Sequence, residues 1–223
     1  MGLLGWVIVG GRGAILAAVA KLPDSVTKAL RRARIAFKRF AYSGFGRDRW
    51  QQPDRVVAEL GLRPGDRVAD LGAGGGYFTF RLARAVGPSG VVYAVDTDRD
   101  MPSALAARAV EQGLGNVVAV EAKPDEPGLP EPVDLSFLAN SYHHLPDRRT
   151  YFALLARHLK PNGRVAIVEA TPTGLHRLVG HATSPEAIRS ELQAAGYTLV
   201  ADHGFLPRQG FLVFEHRRTP QDD

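Results

Sequence analysis

The segment VADLGAGGGYFTFRLA, residues 68–83, decides the fold. An apolar run ends in Asp70 and Leu71, a turn with several glycines follows, and a helix is predicted to begin near Gly76. A strand, a glycine turn and a helix in this order are typical of an open α/β sheet, where glycines let the backbone turn tightly and approach a ligand. The segment therefore predicts a ligand site at the carboxyl end of a buried strand.

The rest of the body repeats this alternation of strand and helix. Four more short, valine-rich runs lack polar alternation and predict strands buried on both faces: VVYAV (91–95), VVAV (117–120), VDLSFL (133–138) and VAIV (165–168). Helices are predicted at 76–86, 99–113, 148–159 and 184–195. We expect a Rossmann-like α/β fold, a mostly parallel sheet with helices on both faces. Two strand-like runs in residues 197–216, joined by a turn around Pro207–Gly210, should pair antiparallel.

Composition excludes several classes of protein. The 223 residues are 45% apolar and 23% charged, as in globular domains, and their number suits one domain with an extension. The absence of cysteine excludes disulfides, thiolate metal ligands and cysteine nucleophiles. His176, His181, His203 and His216 are scattered without metal-ligand spacing, so we predict no metal.

The first 48 residues are predicted to form an arm before a domain at 49–218 and a short tail at 219–223. Residues 1–49 hold ten Lys or Arg and two Asp, a net charge of +8, whereas residues 50–223 hold 18 basic and 21 acidic groups, a net charge of −3. A basic arm on a mildly acidic body indicates an anionic surface as a partner.

The arm contains an apolar run and a basic amphipathic stretch. Residues 3–20 are a marginal membrane span, because Arg12 and four glycines interrupt them. Residues 24–40 place apolar side chains at helical spacing between Arg and Lys, which suits a helix lying on an anionic membrane. The alternative is a helix that packs on the domain with its basic face in water. An apolar run followed by basic residues would leave the domain cytoplasmic, attached to the inner face of the membrane.

The glycine spacing argues against a dinucleotide. A dinucleotide turn needs glycines at its first, third and sixth positions, but the sixth position from Gly72 is Tyr77 and that from Gly74 is Thr79. Asp70 would repel a pyrophosphate, whereas it suits a cationic or zwitterionic ligand. S-adenosylmethionine is such a ligand, since it carries an ammonium and a sulfonium and has no phosphate. A purely structural glycine turn is the alternative.

A second acid supports a nucleoside ligand. Asp96 ends the second predicted strand, 20 residues after Gly76. A carboxylate in this place accepts hydrogen bonds from the hydroxyls of a ribose. Acids commonly end strands, so it is the combination with the glycine turn that predicts a nucleoside site.

In these segments the chain resembles the class I S-adenosylmethionine-dependent methyltransferases, and it looks closest to small bacterial members of the general methyltransferase-domain group. The resemblance covers about residues 48–216 and rests on five motifs in this order: VADLGAGGGYF, VVYAVD, LSFLANSYHHL (135–145), LKPNGRVAIVEA (159–170) and FLPRQGFLVFEH (205–216). It implies a seven-stranded sheet of order 3-2-1-4-5-7-6 with one antiparallel strand, and S-adenosylmethionine as the cofactor.

The resemblance also implies roles in the cofactor site. Asp96, with Thr97 after it, would hold the ribose. The family often has an acid after the third strand that contacts adenine, but this chain has Lys123 there, so either Asp125 or the backbone would take that role. Asn140, after the fourth strand, is a further candidate. The methionine part would be surrounded by the glycine turn: Asp70, Gly72, Ala73, Gly74 and Gly76.

Candidate catalytic residues follow the fourth strand. Methyl transfer mainly requires a positioned acceptor and sometimes the removal of a proton, for which histidine is suited near neutral pH. His143 or His144 is the candidate base, and Tyr142 and Asn140 are candidate orienting groups. Alternatively, one histidine caps the next helix or packs under the loop.

Two further segments are candidates for covering the site. Residues 47–51 precede the first helix of the body, and their Trp50 would either form the wall of a lid or pin the arm to the core. Arg208 and Gln209 are polar groups in the apolar closing hairpin. They would either reach the pocket or form the turn.

The sequence thus predicts an enzyme that moves the methyl group of S-adenosylmethionine to a small or lipid-like acceptor. The glycine spacing opposes a nucleotide-dependent oxidoreductase. The unusual EAKPDE segment (121–126) keeps open a membrane-tethered S-adenosylmethionine-binding protein without catalysis. No nucleic-acid partner is expected, because the body is acidic and ANSYHH (139–144) lacks the Asn/Asp-Pro-Pro-aromatic pattern of base-modifying enzymes of this fold. Oligomeric state cannot be inferred.

Overall fold

The five valine-rich runs form strands, and two more strands close the chain. Their bounds in the computed structural model are β1 (Arg67–Leu71), β2 (Val91–Asp96), β3 (Val117–Glu121), β4 (Val133–Ala139), β5 (Leu159–Ala170), β6 (Tyr197–Asp202) and β7 (Gln209–His216). They form one sheet of order β3-β2-β1-β4-β5-β7-β6. β1 to β5 pair in parallel, and β7 pairs antiparallel with both β5 and β6. The predicted sheet order and the antiparallel strand are confirmed.

The structure describes residues 46–172 and 182–216. The predictions made for residues 1–45, for His176 and His181, and for the tail at 219–223 lie outside these residues. The helices of the described part are α1 (Arg47–Gln51), α2 (Pro53–Glu59), α3 (Thr79–Val86), α4 (Met101–Glu111), α5 (Arg148–Ala156) and α6 (Pro185–Ala194), with a 3-10 helix at Tyr142–His144. In these parts of the chain, no helix is both long and apolar enough to cross a membrane.

Local signals set where several helices begin. α6 begins after Ser184, whose hydroxyl accepts from the Ala187 N–H at 3.2 Å, and α5 begins after Asp147, which accepts from the Thr150 N–H in the same way. α3 begins at Thr79, later than predicted, because Gly76 has a left-handed φ of 80° and cannot open a helix.

α5 ends earlier than predicted and β5 begins earlier. The chain leaves the helix after Ala156, and Leu159 already pairs with Val133 of β4. Regular pairing resumes only between Arg164 and Leu135, so the PNG sequence at 161–163 is accommodated as an irregularity of the strand. Asn162 has the left-handed φ of 63° that such a reversal needs.

Two apolar clusters cover the two faces of the sheet. Val68 of β1 belongs to one cluster and its neighbour Ala69 to the other, as expected for a strand buried on both sides. The first cluster includes Phe152 of α5 and Leu192 of α6. The second includes residues of α2 and α3 and, from β7, Phe211 and Val213. The sheet is thus fixed from both sides, and its carboxyl edge is held rigidly.

Candidate active site

The carboxyl ends of the central strands meet at one edge of the sheet. β1 has β2 on one side and β4 on the other, so the order reverses next to β1. In open α/β sheets, ligands bind outside the strand ends at such a reversal. The glycine turn after β1, Asp96 at the end of β2 and the segment 140–144 after β4 all lie at this edge.

Three of the four glycines of the turn differ in their environments. A Cβ on Gly72 would lie 2.5 Å from the Cβ of Ser141, and one on Gly76 would lie 2.6 Å from Leu105, so both positions need glycine for packing. Gly74 has a φ of 51°, and a Cβ there would meet nothing within 4 Å. Gly74 is therefore the place where the backbone faces open space and a ligand can approach it.

Asp96 is tied to the glycine turn. Its Oδ2 accepts from the Gly74 N–H at 2.8 Å and its Oδ1 accepts from the Asp98 N–H at 2.9 Å. The N–H groups of Gly72 and Ala73 both donate to the Val95 carbonyl, at 2.8 and 3.0 Å, which holds the two loops together. The half-buried carboxylate is thus fixed beside the open Gly74, where a ribose would need it.

Asp70 is a buried carboxylate behind the turn. It is 3% exposed and accepts from the Thr79 hydroxyl at 2.6 Å. Burial first and then the charge of Asp96 raise the pKa of Asp70, to about 6, against the hydrogen bond from Thr79 and the charge of Arg47. A carboxyl group in this state gains from a cationic neighbour, and the ammonium of S-adenosylmethionine is one.

Sequence reasoning missed two arginines at the turn. The guanidinium carbon of Arg47 lies 3.9 Å from the centroid of the Tyr77 ring, and burial lowers the pKa of Arg47. Arg108 of α4 donates to the Gly75 carbonyl. Neither contact has a sequence signal, because each joins segments that are far apart in the chain.

His143 is held by a buried acid that the sequence did not single out. Its Nδ1 lies 2.8 Å from Oε1 of Glu169, whose side chain is fully buried at the end of β5. Glu169 also accepts from the Tyr142 N–H and its own strand's Ala170 N–H, both at 3.2 Å. The carboxylate therefore assigns the proton to Nδ1 and leaves Nε2 as the basic nitrogen. The position of Glu169 directly after the apolar run VAIV is the sequence signal that could have identified this residue.

The two histidines are not equivalent. The ring centroids of His143 and His144 are 4.0 Å apart. The side chain of His143 is 8% exposed, whereas His144 is exposed. The contact with Glu169 favours His143 as the base.

Tyr142 lies in the core. Its side chain is fully buried, its ring stacks on Phe152 of α5, and its hydroxyl donates to Glu191 of α6 at 2.5 Å. We therefore replace the expectation that Tyr142 touches the acceptor by a structural role. The 3-10 helix turns the side chain toward the first apolar cluster, which the local sequence does not reveal.

The remaining predicted residues lie around the same edge. Asn140 has a left-handed φ of 55°, and its Oδ1 accepts from Nε2 of Gln209 at 2.7 Å. Thr97 is exposed directly after β2, and Asp125 is exposed in the loop after β3, so its contact with adenine remains a prediction. Among the described residues, no group of three or more acids and histidines is arranged for a metal ion.

Comparison with known proteins identifies the central segment. The family described as a methyltransferase domain matches residues 68–163, which contain the glycine turn, Asp96 and the segment after β4. A ubiquinone/menaquinone biosynthesis C-methyltransferase of Teredinibacter turnerae is 36% identical over 113 residues, which are 49% of this chain and 45% of that protein. The chain spans about half the length of the curated relatives it matches.

Solved structures share the fold of the whole body. A S-adenosylmethionine-dependent methyltransferase from Aquifex aeolicus aligns with a TM-score of 0.73 at 23% identity, over 83% of this chain and 98% of that one. Magnesium protoporphyrin IX methyltransferase from Synechocystis, solved with bound S-adenosylhomocysteine, aligns with a TM-score of 0.62 at 22% identity, over 86% and 95% of the two chains. At these identities the likeness is one of fold.

Proposed function

We propose that this chain is a class I S-adenosylmethionine-dependent methyltransferase and that it transfers the methyl group of S-adenosylmethionine to a small or lipid-like acceptor. The observation that carries the proposal is the open approach to Gly74 beside Asp96, at a turn that follows the buried carboxylate of Asp70. This arrangement fits a ligand with a cationic amino-acid end and a ribose.

The residues of the turn would hold the cofactor in parts. Asp70 would attract the ammonium group, and the methionine part of the ligand would lie against the backbone of Gly74. Asp96 would accept hydrogen bonds from the ribose hydroxyls. S-adenosylmethionine supplies a methyl group on a positively charged sulfur, which departs as a neutral thioether. The protein has little charge to stabilise at the sulfur, so its work is to orient the acceptor and to take up its proton.

His143 is the group we propose for proton removal. Its Nδ1 proton is held by Glu169, so Nε2 can accept a proton from the acceptor while the buried carboxylate stabilises the imidazolium that forms. A new bond joins the nucleophilic atom of the acceptor to the methyl carbon, and the electron pair of the broken methyl–sulfur bond stays on sulfur. Glu169 acts through His143 and is a positioning residue.

The names of the relatives support a lipid-like acceptor. The curated relatives act in ubiquinone and menaquinone biosynthesis, and one structural neighbour methylates a porphyrin. All of these names point to large, poorly soluble rings. The apolar and basic arm supports the same proposal, because a membrane-bound enzyme would meet such molecules in the bilayer.

Binding and transfer are tested separately. Calorimetry with S-adenosylmethionine and with NADH should show heat of binding for the first alone. Full-length protein with methyl-labelled S-adenosylmethionine and a bacterial lipid extract should then move label into the organic phase. Binding of NADH would support an oxidoreductase instead. Binding of S-adenosylmethionine without label transfer to any extract would support a cofactor-binding protein without catalysis.

A further inference from the structure

Two glutamines of the described chain are buried with one amide atom unpaired. Gln51 is 0% exposed and Gln209 is 5% exposed. Among the residues that the structure describes, Nε2 of Gln51 and Oε1 of Gln209 have no hydrogen-bond partner. Burying a polar atom without a partner costs free energy, so such atoms are rare in folded proteins and need an explanation. A ligand that is present only during function is one explanation.

The free atom of Gln51 is a donor. Its Oε1 accepts from Nε of Arg47, and arginine can only donate, so the orientation of the amide is fixed. The remaining atom is the NH₂ group. Gln51 thus presents a donor to whatever lies next to the end of α1.

The free atom of Gln209 is an acceptor in the orientation described. Its Nε2 donates to Oδ1 of Asn140, which leaves Oε1 unpaired. If both amides of this pair were reversed, one atom of Gln209 would still be unpaired. A partner for Gln209 is therefore needed in either case.

Both glutamines lie at the carboxyl edge of the sheet, on the same face. Gln209 pairs with Ala170, the last residue of β5, and its side chain reaches Asn140 directly after β4. It stands two residues before Phe211, so it is on the face covered by the second apolar cluster. This is the face on which α2 and α3 pack.

Gln51 approaches the same region from α1. One end of α1 is at the glycine turn, where Arg47 lies over Tyr77. The other end is at the closing hairpin, where the Gln52 side chain donates to the Phe205 carbonyl at 3.2 Å. The buried Gln51 is thus placed between the cofactor turn and the hairpin that carries Gln209.

We propose that Gln51 and Gln209 bind the methyl acceptor through neutral oxygen groups, of which at least one is a hydroxyl. Gln51 donates to one oxygen of the methyl acceptor. Gln209 accepts from the hydroxyl in the orientation described, and in the reversed orientation it donates to the same hydroxyl, whose oxygen can also accept. The inference rests on the proposed methyl transfer and narrows its substrate class. Two neutral amides suit an uncharged hydroxylated ring and do not offset the charge of a carboxylate or phosphate.

The test compares 1,4-dihydroxynaphthalene with naphthalene, under argon and with S-adenosylhomocysteine present. Binding is measured by calorimetry for the full-length protein, Gln51→Met, Gln209→Met and the double variant. Methionine keeps the length of glutamine and removes the amide. Gln193→Met, at an exposed position of α6, is the matched control.

Wild type should prefer the dihydroxy compound, and each single variant should weaken its binding about tenfold without changing naphthalene binding. The double variant should lose the preference. Melting temperatures should change little, because each substitution removes one unpaired amide atom together with one existing hydrogen bond, to Arg47 or to Asn140. Lower melting temperatures with an unchanged preference would overturn the inference and give both amides a structural role.

The outcomes separate this inference from the proposed function. If dihydroxynaphthalene does not bind wild type, the inference is wrong, and label transfer to lipid extract still decides methyl transfer. If the two substitutions weaken binding of dihydroxynaphthalene but no labelled methyl group is transferred, the ligand site is supported and the proposed methyl transfer is wrong. If transfer occurs with the double variant at unchanged KM, the enzyme proposal stands and the inference falls.

Discussion

Asp70 shows how a single residue joins stability to binding. The fold encloses this carboxyl group beside a second acid, and its pKa of about 6 lies above the ordinary 3.8. The folded protein therefore binds more protons than the unfolded chain between about pH 4 and 6. By linkage, the free energy of unfolding falls as the pH rises through this window. The ligand-free protein at neutral pH is thus destabilised by a charge that the cofactor would neutralise.

Asp70→Asn should therefore be more stable than wild type at pH 7.5, by up to about 3 kcal/mol, and equally stable near pH 4. It should also bind S-adenosylmethionine at least tenfold more weakly. Denaturant unfolding at both pH values and calorimetry check the two effects. Glu111→Gln, at an exposed position, is the control. A variant that is less stable at pH 7.5 would show that the charge of Asp70 is already paired without ligand.

A comparison of Gly74 with Gly113 can distinguish an effect on the backbone from an effect on ligand binding. Gly74 and Gly113 both have left-handed φ angles, 51° and 67°, and a Cβ on either would meet nothing within 4 Å. Gly113 lies just beyond α4, away from the turn. Valine should strain the backbone at both positions.

Gly74→Val should bind S-adenosylmethionine at least tenfold more weakly, because the branched side chain fills the space along the turn. Gly113→Val should keep the affinity of wild type. Thermal unfolding should show similar destabilisation for the two, and calorimetry should separate them. Equal affinities for the two variants would place the cofactor elsewhere.

At the scale of elements, the end of β5 and the 3-10 helix after β4 act together. β5 supplies Glu169 and the 3-10 helix supplies His143, and the proposed base depends on the contact between them. Their contact depends on the pairing of β4 with β5, in which Ala139 lies opposite Val168.

His143→Ala should lower the rate of label transfer by about 10²–10⁴-fold and leave the affinity for S-adenosylmethionine nearly unchanged. Glu169→Gln keeps an oxygen for Nδ1 and removes the charge opposite the imidazolium, so its rate should lie between those of wild type and His143→Ala. His144→Ala tests the exposed neighbour and should keep the rate. Full activity of His143→Ala in single-turnover assays would leave the contact with Glu169 as a packing feature.

The strands were predictable because each is a short valine-rich run buried on both faces, and the order followed from the resemblance. The boundaries of α3 and α5 were not predictable from the sequence, since the φ of Gly76 and the early pairing of Leu159 depend on neighbouring strands. The glycine turn was predictable because the residues that form it are close together in the sequence. The contacts His143–Glu169 and Asn140–Gln209 join residues 26 and 69 positions apart, so sequence alone could not reveal them.

At the scale of the whole molecule, charge is divided along the chain. Residues 50–223 carry a small net negative charge, while residues 1–40 hold eight of the 28 Lys and Arg beside the longest apolar run. The residues proposed for the cofactor all come from the body. The composition of the arm therefore calls for a separate explanation.

We predict that the arm attaches the enzyme to an anionic membrane surface, where each basic residue contributes about 1 kcal/mol. Removing residues 1–40 should release the protein from anionic liposomes in co-sedimentation and leave the affinity for S-adenosylmethionine nearly intact. Replacing Arg31, Arg32 and Arg34 with Gln in the full chain should weaken binding to anionic liposomes. The binding that remains should depend less on salt concentration, because salt screens the attraction between charges but not the burial of the apolar run. Full-length protein that stays in the supernatant with both anionic and neutral liposomes would make the arm a packing element of the domain, and the case for a membrane-dissolved acceptor would lose its support from the arm.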